Sequence, residues 1–191
     1  MKKQVEDKKA ALLQASLKLF TENGFHGTST AHISKEAGVA TGTLFNYFPT
    51  KEDLINALYF DIKGKLSRSL AKDIQNQSTL HDKFWKIWYD LIEWGLNNQE
   101  DFHFVDQFCS SPYISDYTRE VVMGEYSFYH DLVKDGIATG EFGDYSEGMV
   151  ASIFYQSSRT IVDLILYSEP QDKNKAIEDG FAIIWKGLTE K

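Results

Sequence analysis

The chain has 191 residues, 28 of them acidic and 20 basic, for a net charge of −8. A chain of this length can bury a sizeable core without disulfides or metal staples, and 42% hydrophobic against 25% charged residues excludes a disordered chain. One cysteine, Cys109, excludes an internal disulfide; the charged start (Lys2, Lys3, Glu6, Asp7, Lys8, Lys9) predicts no secretory signal, and no apolar run nears the roughly 18 residues of a membrane span, so a cytoplasmic protein with no membrane partner is expected.

Apolar residues recur with the helical period and strand-like alternation is absent, which predicts an all-α fold. From Lys8 to Asn23, Leu12, Leu13, Leu17, Leu19 and Phe20 form one stripe. Asn23-Gly24 ends it, because glycine adopts the left-handed conformation cheaply. Thr28-Ser29-Thr30 offers capping hydroxyls to a short helix ending at Gly38. A second short helix follows from about Thr41 to Phe48, and Pro49-Thr50 opens a long one from near Lys51 to about Gln75. Further helices are expected over about 80–98, 101–109, 114–139, 145–167 and 173–189.

The turn Gly38-Val39-Ala40 is too short for anything but a steep crossing, so the second and third helices form a helix-turn-helix. At about 100° per residue, with Leu44 facing inward, Phe48 falls on the same side. Gly42, Thr43 and Asn46 then point outward, with Phe45 and Tyr47 on the flanks. The outward positions are small or hydrogen-bonding and uncharged. A merely solvated face would carry Lys and Glu; this one has the donors and acceptors that read base edges. Charge distribution agrees. Residues 1–60 carry seven basic and six acidic groups, and the other 13 basic and 22 acidic groups follow. The near-neutral N-terminal part can approach a polyanion while the acidic remainder sits away from it.

The run from Gly24 to Leu54 (GFHGTSTAHISKEAGVATGTLFNYFPTKEDL) resembles the DNA-binding domain of TetR-family transcriptional repressors. Later in the chain, Asp135 to Phe142 (DGIATGEF) is similar to the end of that family's seventh helix. The resemblance implies an N-terminal three-helix DNA-binding domain over residues 1–54. A C-terminal helical effector-binding and dimerisation domain would cover 55–191. It implies that Ser29, with Thr28 sharing the role, binds backbone phosphate. Thr41, Gly42 and Thr43 would enter the major groove, Asn46 and Tyr47 would meet bases and phosphate, and Lys51 would pair with a phosphate. Phe45 stands where the family usually has tyrosine, so a phosphate hydroxyl contact is lost although a thymine methyl is within its chemistry. Ala40 stands where a capping serine is common, so Thr41 is expected to cap instead. Tyr47 packed beside the first helix and Lys51 as a solvated charge are the alternatives. The latter sits badly with the helix dipole.

Of 27 aromatic residues, 13 fall between His81 and His130, where the family lines an effector pocket. The pocket candidates are Trp85, Trp88, Tyr89, Glu93, Phe102, Asp106, Tyr126 and Tyr129. Glu93 follows Tyr89 by four residues and Asp106 follows Phe102 by four, so a lipophilic cation is preferred and a fatty acyl or anionic ligand is the rival. Core packing of the aromatics and solvated acids is the plainer alternative. His103 with Asp106, and His130 with Asp131, lack a third ligand, so no metal and no other cofactor is expected. Cys109 reads as a buried small hydrophobe, with a redox sensor as the alternative. The last two helices are apolar on more than one face, which calls for a partner subunit. The candidate interface is Phe154, Ile161, Ile165, Phe181, Ile184 and Leu188.

The function expected is a ligand-responsive regulator, a repressor. It would bind double-stranded operator DNA as a homodimer and be released by a small lipophilic effector. No catalytic triad, metal set or phosphate loop supports an enzyme. The alternative is a small all-helical ligand-binding protein or enzyme with an aromatic pocket and no DNA role.

Overall fold

The computed structural model describes residues 2–168, 170 and 172–190, and the side chains from Glu6 onward. Among the described residues there are ten α-helices, in chain order α1 (Lys2–Gly27), α2 (Thr30–Glu36), α3 (Thr41–Tyr47), α4 (Lys51–Ala71), α5 (Leu80–Asn97), α6 (Gln99–Phe108), α7 (Asp116–Glu125), α8 (Ser127–Ala138), α9 (Glu147–Ser168) and α10 (Lys173–Thr189). No strand occurs among the described residues, so the fold is all-α.

The helix ends follow local chemistry. Gly24 at φ 68 breaks α1 where Asn23-Gly24 signalled an end, and Gly38 at φ 66 makes the turn before α3. A side chain at either position would be strained. Ser29 caps α2 by accepting from the His32 amide at 3.1 Å. Thr50 and Asp53 form a reciprocal box at the start of α4: Asp53 N donates to Thr50 Oγ1 and Thr50 N to Asp53 Oδ2, each at 3.0 Å. Ala40 is the N-cap of α3 and supplies no side-chain bond, so Thr41 does not take over capping; it is the first helical residue and is exposed.

Two expected helices come out differently. The helix expected to reach Gln75 stops at Ala71, and Asp73 turns left-handed at φ 60 ahead of a short 3-10 turn over Ile74–Asn76. The single helix expected over 114–139 is two, α7 and α8, parted at Tyr126. Ser67 on α4 explains the break: its hydroxyl donates to the Glu125 carbonyl at 2.6 Å, while Tyr126 and Phe128 pack on the cluster Leu66, Leu70 and Leu91. Hydrogen bonding and burial replace one turn of helix.

The chain divides into two compact units that do not follow chain order. One comprises residues 1–64 with 99–122, the other 65–98 with 123–191. In the first unit Phe20, wholly buried, stands between Phe25 (centroids 5.9 Å apart) and Phe108 of α6 (6.2 Å). Ile33, Leu44 and Phe48 complete the inner face of the helix-turn-helix. The core of the second unit is aromatic: Phe84, Trp88, Phe142, Phe154 and Phe181 are all buried. Phe84 meets Phe142 and Phe154 edge-on at 5.1 and 5.3 Å.

Candidate nucleic-acid interface and effector cavity

In the first unit, α3 buries Leu44 and leaves Thr41, Gly42, Phe45 and Asn46 exposed, with Thr43 and Tyr47 half-buried. Phe45 is 44% exposed, so a flat apolar ring stands beside the hydrogen-bonding Asn46. No charged residue lies on α3. Two ties steady its support. Lys18 of α1 meets Glu36 of α2 at 2.7 Å, and the Val39 amide donates to the Ser34 carbonyl at 2.9 Å across the turn.

Ser29 is exposed at the start of α2, where its hydroxyl already accepts from the His32 amide. Thr28 is different and corrects the expectation. Its side chain is 1% exposed, and its hydroxyl lies 2.8 Å from both the Leu19 and Gly24 carbonyls. It satisfies carbonyls at the break in α1 and is not placed to meet a phosphate.

Lys51 opens α4 and is half-buried. Its ammonium sits over the Phe25 ring, 4.0 Å from the centroid. Burial holds its pKa below the usual lysine range. Tyr113, from the segment joining α6 to α7, stacks on Phe25 at 4.0 Å and 13°, and its Oη lies 2.8 Å from His26 Nε2. Neither Phe25 nor Tyr113 was a candidate in the sequence. They are 88 positions apart, and no local pattern links them.

The eight pocket candidates are divided between the two units. Phe102 and Asp106 belong to α6 in the first unit, where Phe102 is buried and Asp106 exposed. Trp88 is core: it is wholly buried, its indole donates to the Ile177 carbonyl at 2.9 Å, and it packs on Phe154 at 5.4 Å. Trp85 leans on Tyr89 and Phe181, and Tyr89 is 39% exposed. Glu93 is paired with Lys173 at 2.5 Å, so its charge is already answered. Of the two carboxylates that motivated a cationic ligand, Glu93 is thus already paired within its own unit.

Of the eight, Glu93 lines an open groove with Asp73, Lys86 and Asp90, while Tyr126 and Tyr129 together line a separate cavity. Their partners there are Leu66 and Leu70 of α4, Ile87 and Leu91 of α5, Phe128, and Phe154 and Tyr155 of α9. The cavity is small, about 40 Å³, and no charged side chain lines it. The Tyr129 hydroxyl is buried with no hydrogen-bond partner among the described residues, and burial pushes its pKa up, so it stays a neutral phenol. The i, i+4 spacing of Leu66–Leu70 and of Ile87–Leu91 is visible in the sequence, but it marks an apolar helix face and not a cavity.

The candidate interface residues also divide. Phe154, Phe181 and Leu188 are at most 5% exposed within the chain and serve its own core. Ile161, Ile165 and Ile184 are half-buried. The exposed apolar residues of the last helices are Met149, Ile153, Leu164, Tyr167 and Ile183. A groove of about 220 Å³ runs between α9 and α10, lined by Met149, Ile153, Ile183, Ile184 and Gly187.

The family described as bacterial regulatory proteins of the tetR family matches residues 12–58. The C-terminal domain described as tetracyclin repressor-like matches residues 59–188. The chain belongs to the TetR family. This TetR-family regulator is 24% identical over 175 residues to the fatty acid metabolism regulator protein of Bacillus subtilis, covering 89% of this chain and 90% of that one. A TetR family transcription regulator from Marinobacter aquaeolei VT8 superposes over 100% of both chains with a TM-score of 0.92 at 20% identity. The transcriptional regulator FadR from Bacillus subtilis, solved in complex with stearoyl-CoA, superposes with a TM-score of 0.74 at 19% identity, over 94% of this chain and 98% of that one. The two solved structures share the all-helical fold of this TetR-family regulator. Among the described residues no helix is long and apolar enough to cross a membrane, and no cluster of His, Cys, Asp or Glu could hold a metal ion.

Proposed function

We propose that this TetR-family regulator is a repressor that binds a near-palindromic operator as a homodimer and leaves it when a fatty acyl ligand binds. The observation that carries the DNA part is the outer face of α3. It is exposed and uncharged, and Thr41, Gly42, Thr43, Phe45 and Asn46 stand on a buried apolar base. Tyr47 is half-buried at the end of the same helix. Two such helices, about 34 Å apart, fit successive major grooves. Ser29 and Lys51 supply sequence-independent phosphate contacts on either side.

The partner for dimerisation is a second copy meeting the exposed apolar face of α9 and α10. Met149, Ile153 and Ile183, at 51%, 45% and 71% exposure, support this face over the buried Phe154, Phe181 and Leu188.

The ligand class rests on the cavity. A charged head would be unpaired among Leu66, Leu70, Ile87, Leu91, Phe128 and Phe154, whereas an acyl chain is matched to them. The relatives named for fatty acid metabolism and solved with stearoyl-CoA point the same way. A cavity of about 40 Å³ cannot hold a long chain, so the ligand must open it. Opening displaces Leu66 and Leu70, which sit on the same α4 that begins at Lys51. The bound ligand therefore favours a position of α4 that DNA does not, and each binding weakens the other by the same factor.

A salt-titrated binding assay with genomic and random duplexes tests the DNA role: a duplex preferred over random sequence is expected, and equal, negligible binding to all would refute it. An acyl-CoA length series beside a panel of cationic dyes tests the ligand. Quenching of Trp94, which packs on Leu66, Leu70 and Leu91, and release of DNA by acyl-CoA are expected. Release by the dyes alone would overturn the class.

A further inference from the structure

Phe25 is covered on both faces. Tyr113 stacks on it with centroids 4.0 Å apart and planes 13° off parallel. The Lys51 ammonium is also 4.0 Å from the same centroid. Two groups at that distance cannot share one face of a benzene ring, since the tyrosine ring already fills it. Lys51 and Tyr113 therefore sandwich Phe25 from opposite sides.

Tyr113 is held firmly in this sandwich. Its Oη lies 2.8 Å from His26 Nε2. Its carbonyl accepts from Asn56 Nδ2 at 2.8 Å, and the Ser115 amide donates to Asn56 Oδ1 at 2.9 Å, so one side chain of α4 grips both ends of the turn. Arg119 of α7 braces the other side through the carbonyls of Cys109 and Ser111, the latter at 2.7 Å. Five polar contacts thus hold the Tyr113 ring against Phe25. Phe25 itself leaves α1 just after the left-handed Gly24, so the helix does not fix its angle. Tyr113 on one face and Lys51 on the other, with Phe20 5.9 Å away, hold it instead.

We propose that Tyr113 is a positioning residue for DNA binding. By covering the rear face of Phe25 it keeps the front face in place as the seat of the Lys51 ammonium, and so sets where that ammonium meets the DNA backbone. An ammonium has three N–H groups, and resting over a ring leaves others to donate to a phosphate. The inference rests on Lys51 as a phosphate contact. It adds that the segment between α6 and α7 controls DNA affinity without touching DNA. Shifting that segment would free Phe25 to tilt and Lys51 to wander, and the same phosphate would then be bound at a higher entropic cost.

The test is a thermodynamic cycle on the full-length chain with a 30-base-pair duplex of mixed sequence, titrated with KCl. Lys51→Ala should weaken binding about 5-fold and lower the salt slope by about 1. Tyr113→Ala should do most of the same, and the double variant should bind within 2-fold of Lys51→Ala alone. Tyr113→Phe keeps the flat face and should bind within 2-fold of the unaltered protein. Should Tyr113→Ala fail to fold, Tyr113→Leu, which fills the space without a flat face, takes its place in the cycle. NMR gives a reading independent of DNA. The Lys51 ε-methylene resonances should be shifted upfield by the Phe25 ring, remain so in Tyr113→Phe, and return toward free-lysine values in Tyr113→Ala. Multiplying affinity losses in the double variant, or Lys51 resonances unmoved in Tyr113→Ala, would overturn the role of Tyr113 alone. A salt slope unchanged by Lys51→Ala would remove the phosphate contact and the inference with it.

Discussion

The short helix α3 and the aromatic helix α5 were both read by residue type and spacing, and the structure buries their chosen residues differently. On α3 the inward residues Leu44 and Phe48 are buried; of the three expected to point outward, Gly42 and Asn46 are exposed and Thr43 is half-buried. On α5 the residues chosen for chemistry are mostly structural: Trp88 is core and Glu93 is paired with Lys173. A short helix covered on one side has a single inward direction, so its periodicity fixes both faces. A helix like α5, packed by α9, α10 and the 3-10 turn, has several, and an aromatic residue suits core and cavity alike.

The largest effect should come where the two readings part most sharply. Phe181→Glu, chosen from sequence as a dimer-breaking change, buries a carboxylate among Trp85, Trp88 and Trp185 and should unfold the chain. Ile183→Glu, at 71% exposure, should leave the thermal transition within a few degrees and give monomers in sedimentation. A folded monomeric Phe181→Glu would restore the sequence-based interface.

Lys63 probes the recognition unit from inside. It is half-buried on α4, and desolvation lowers its pKa from 10.5 to about 8. The unfolded chain therefore holds this proton more tightly than the folded one between those values, and stability contributed by the group rises with pH across the window. Below about pH 8 the folded state carries a disfavoured charge. Lys63→Met should accordingly raise stability at pH 7 by about 1–3 kcal/mol and flatten the rise from pH 8 to 10.5, as measured by urea melts. A less stable Lys63→Met at pH 7 would show that the charge is well compensated where it lies.

Asn46→Ala should relax preference at particular operator base pairs by about 1–3 kcal/mol and leave binding to random duplex unchanged. Uniform weakening on all sequences would move Asn46 from base reading to backbone contact. Finally, Thr28→Val and Ser29→Ala separate two neighbouring hydroxyls that sequence treated alike. Thr28→Val should lower stability by about 1–2 kcal/mol with DNA affinity of the folded protein intact. Ser29→Ala should cost about 1 kcal/mol as a lost cap and also lower the salt slope of DNA binding. Equal salt slopes in the two variants would return Thr28 to the interface.

By itself the sequence determined the helical class, the turn at Gly38, the outward face of α3 and the family to which the chain belongs. Those features depend on residues within a few positions of one another: a glycine that takes positive φ, a hydroxyl that caps, apolar groups that recur every three or four residues. Only the tertiary structure decided which apolar residues stay uncovered and which charges are already paired. It set Tyr113 against Phe25, broke the helix at Tyr126 with a hydroxyl from Ser67, and closed Trp88 under Ile177. Each of these joins residues 58 to 89 positions apart. Burial is a property of what lies across the contact, and helical periodicity carries no information about that neighbour.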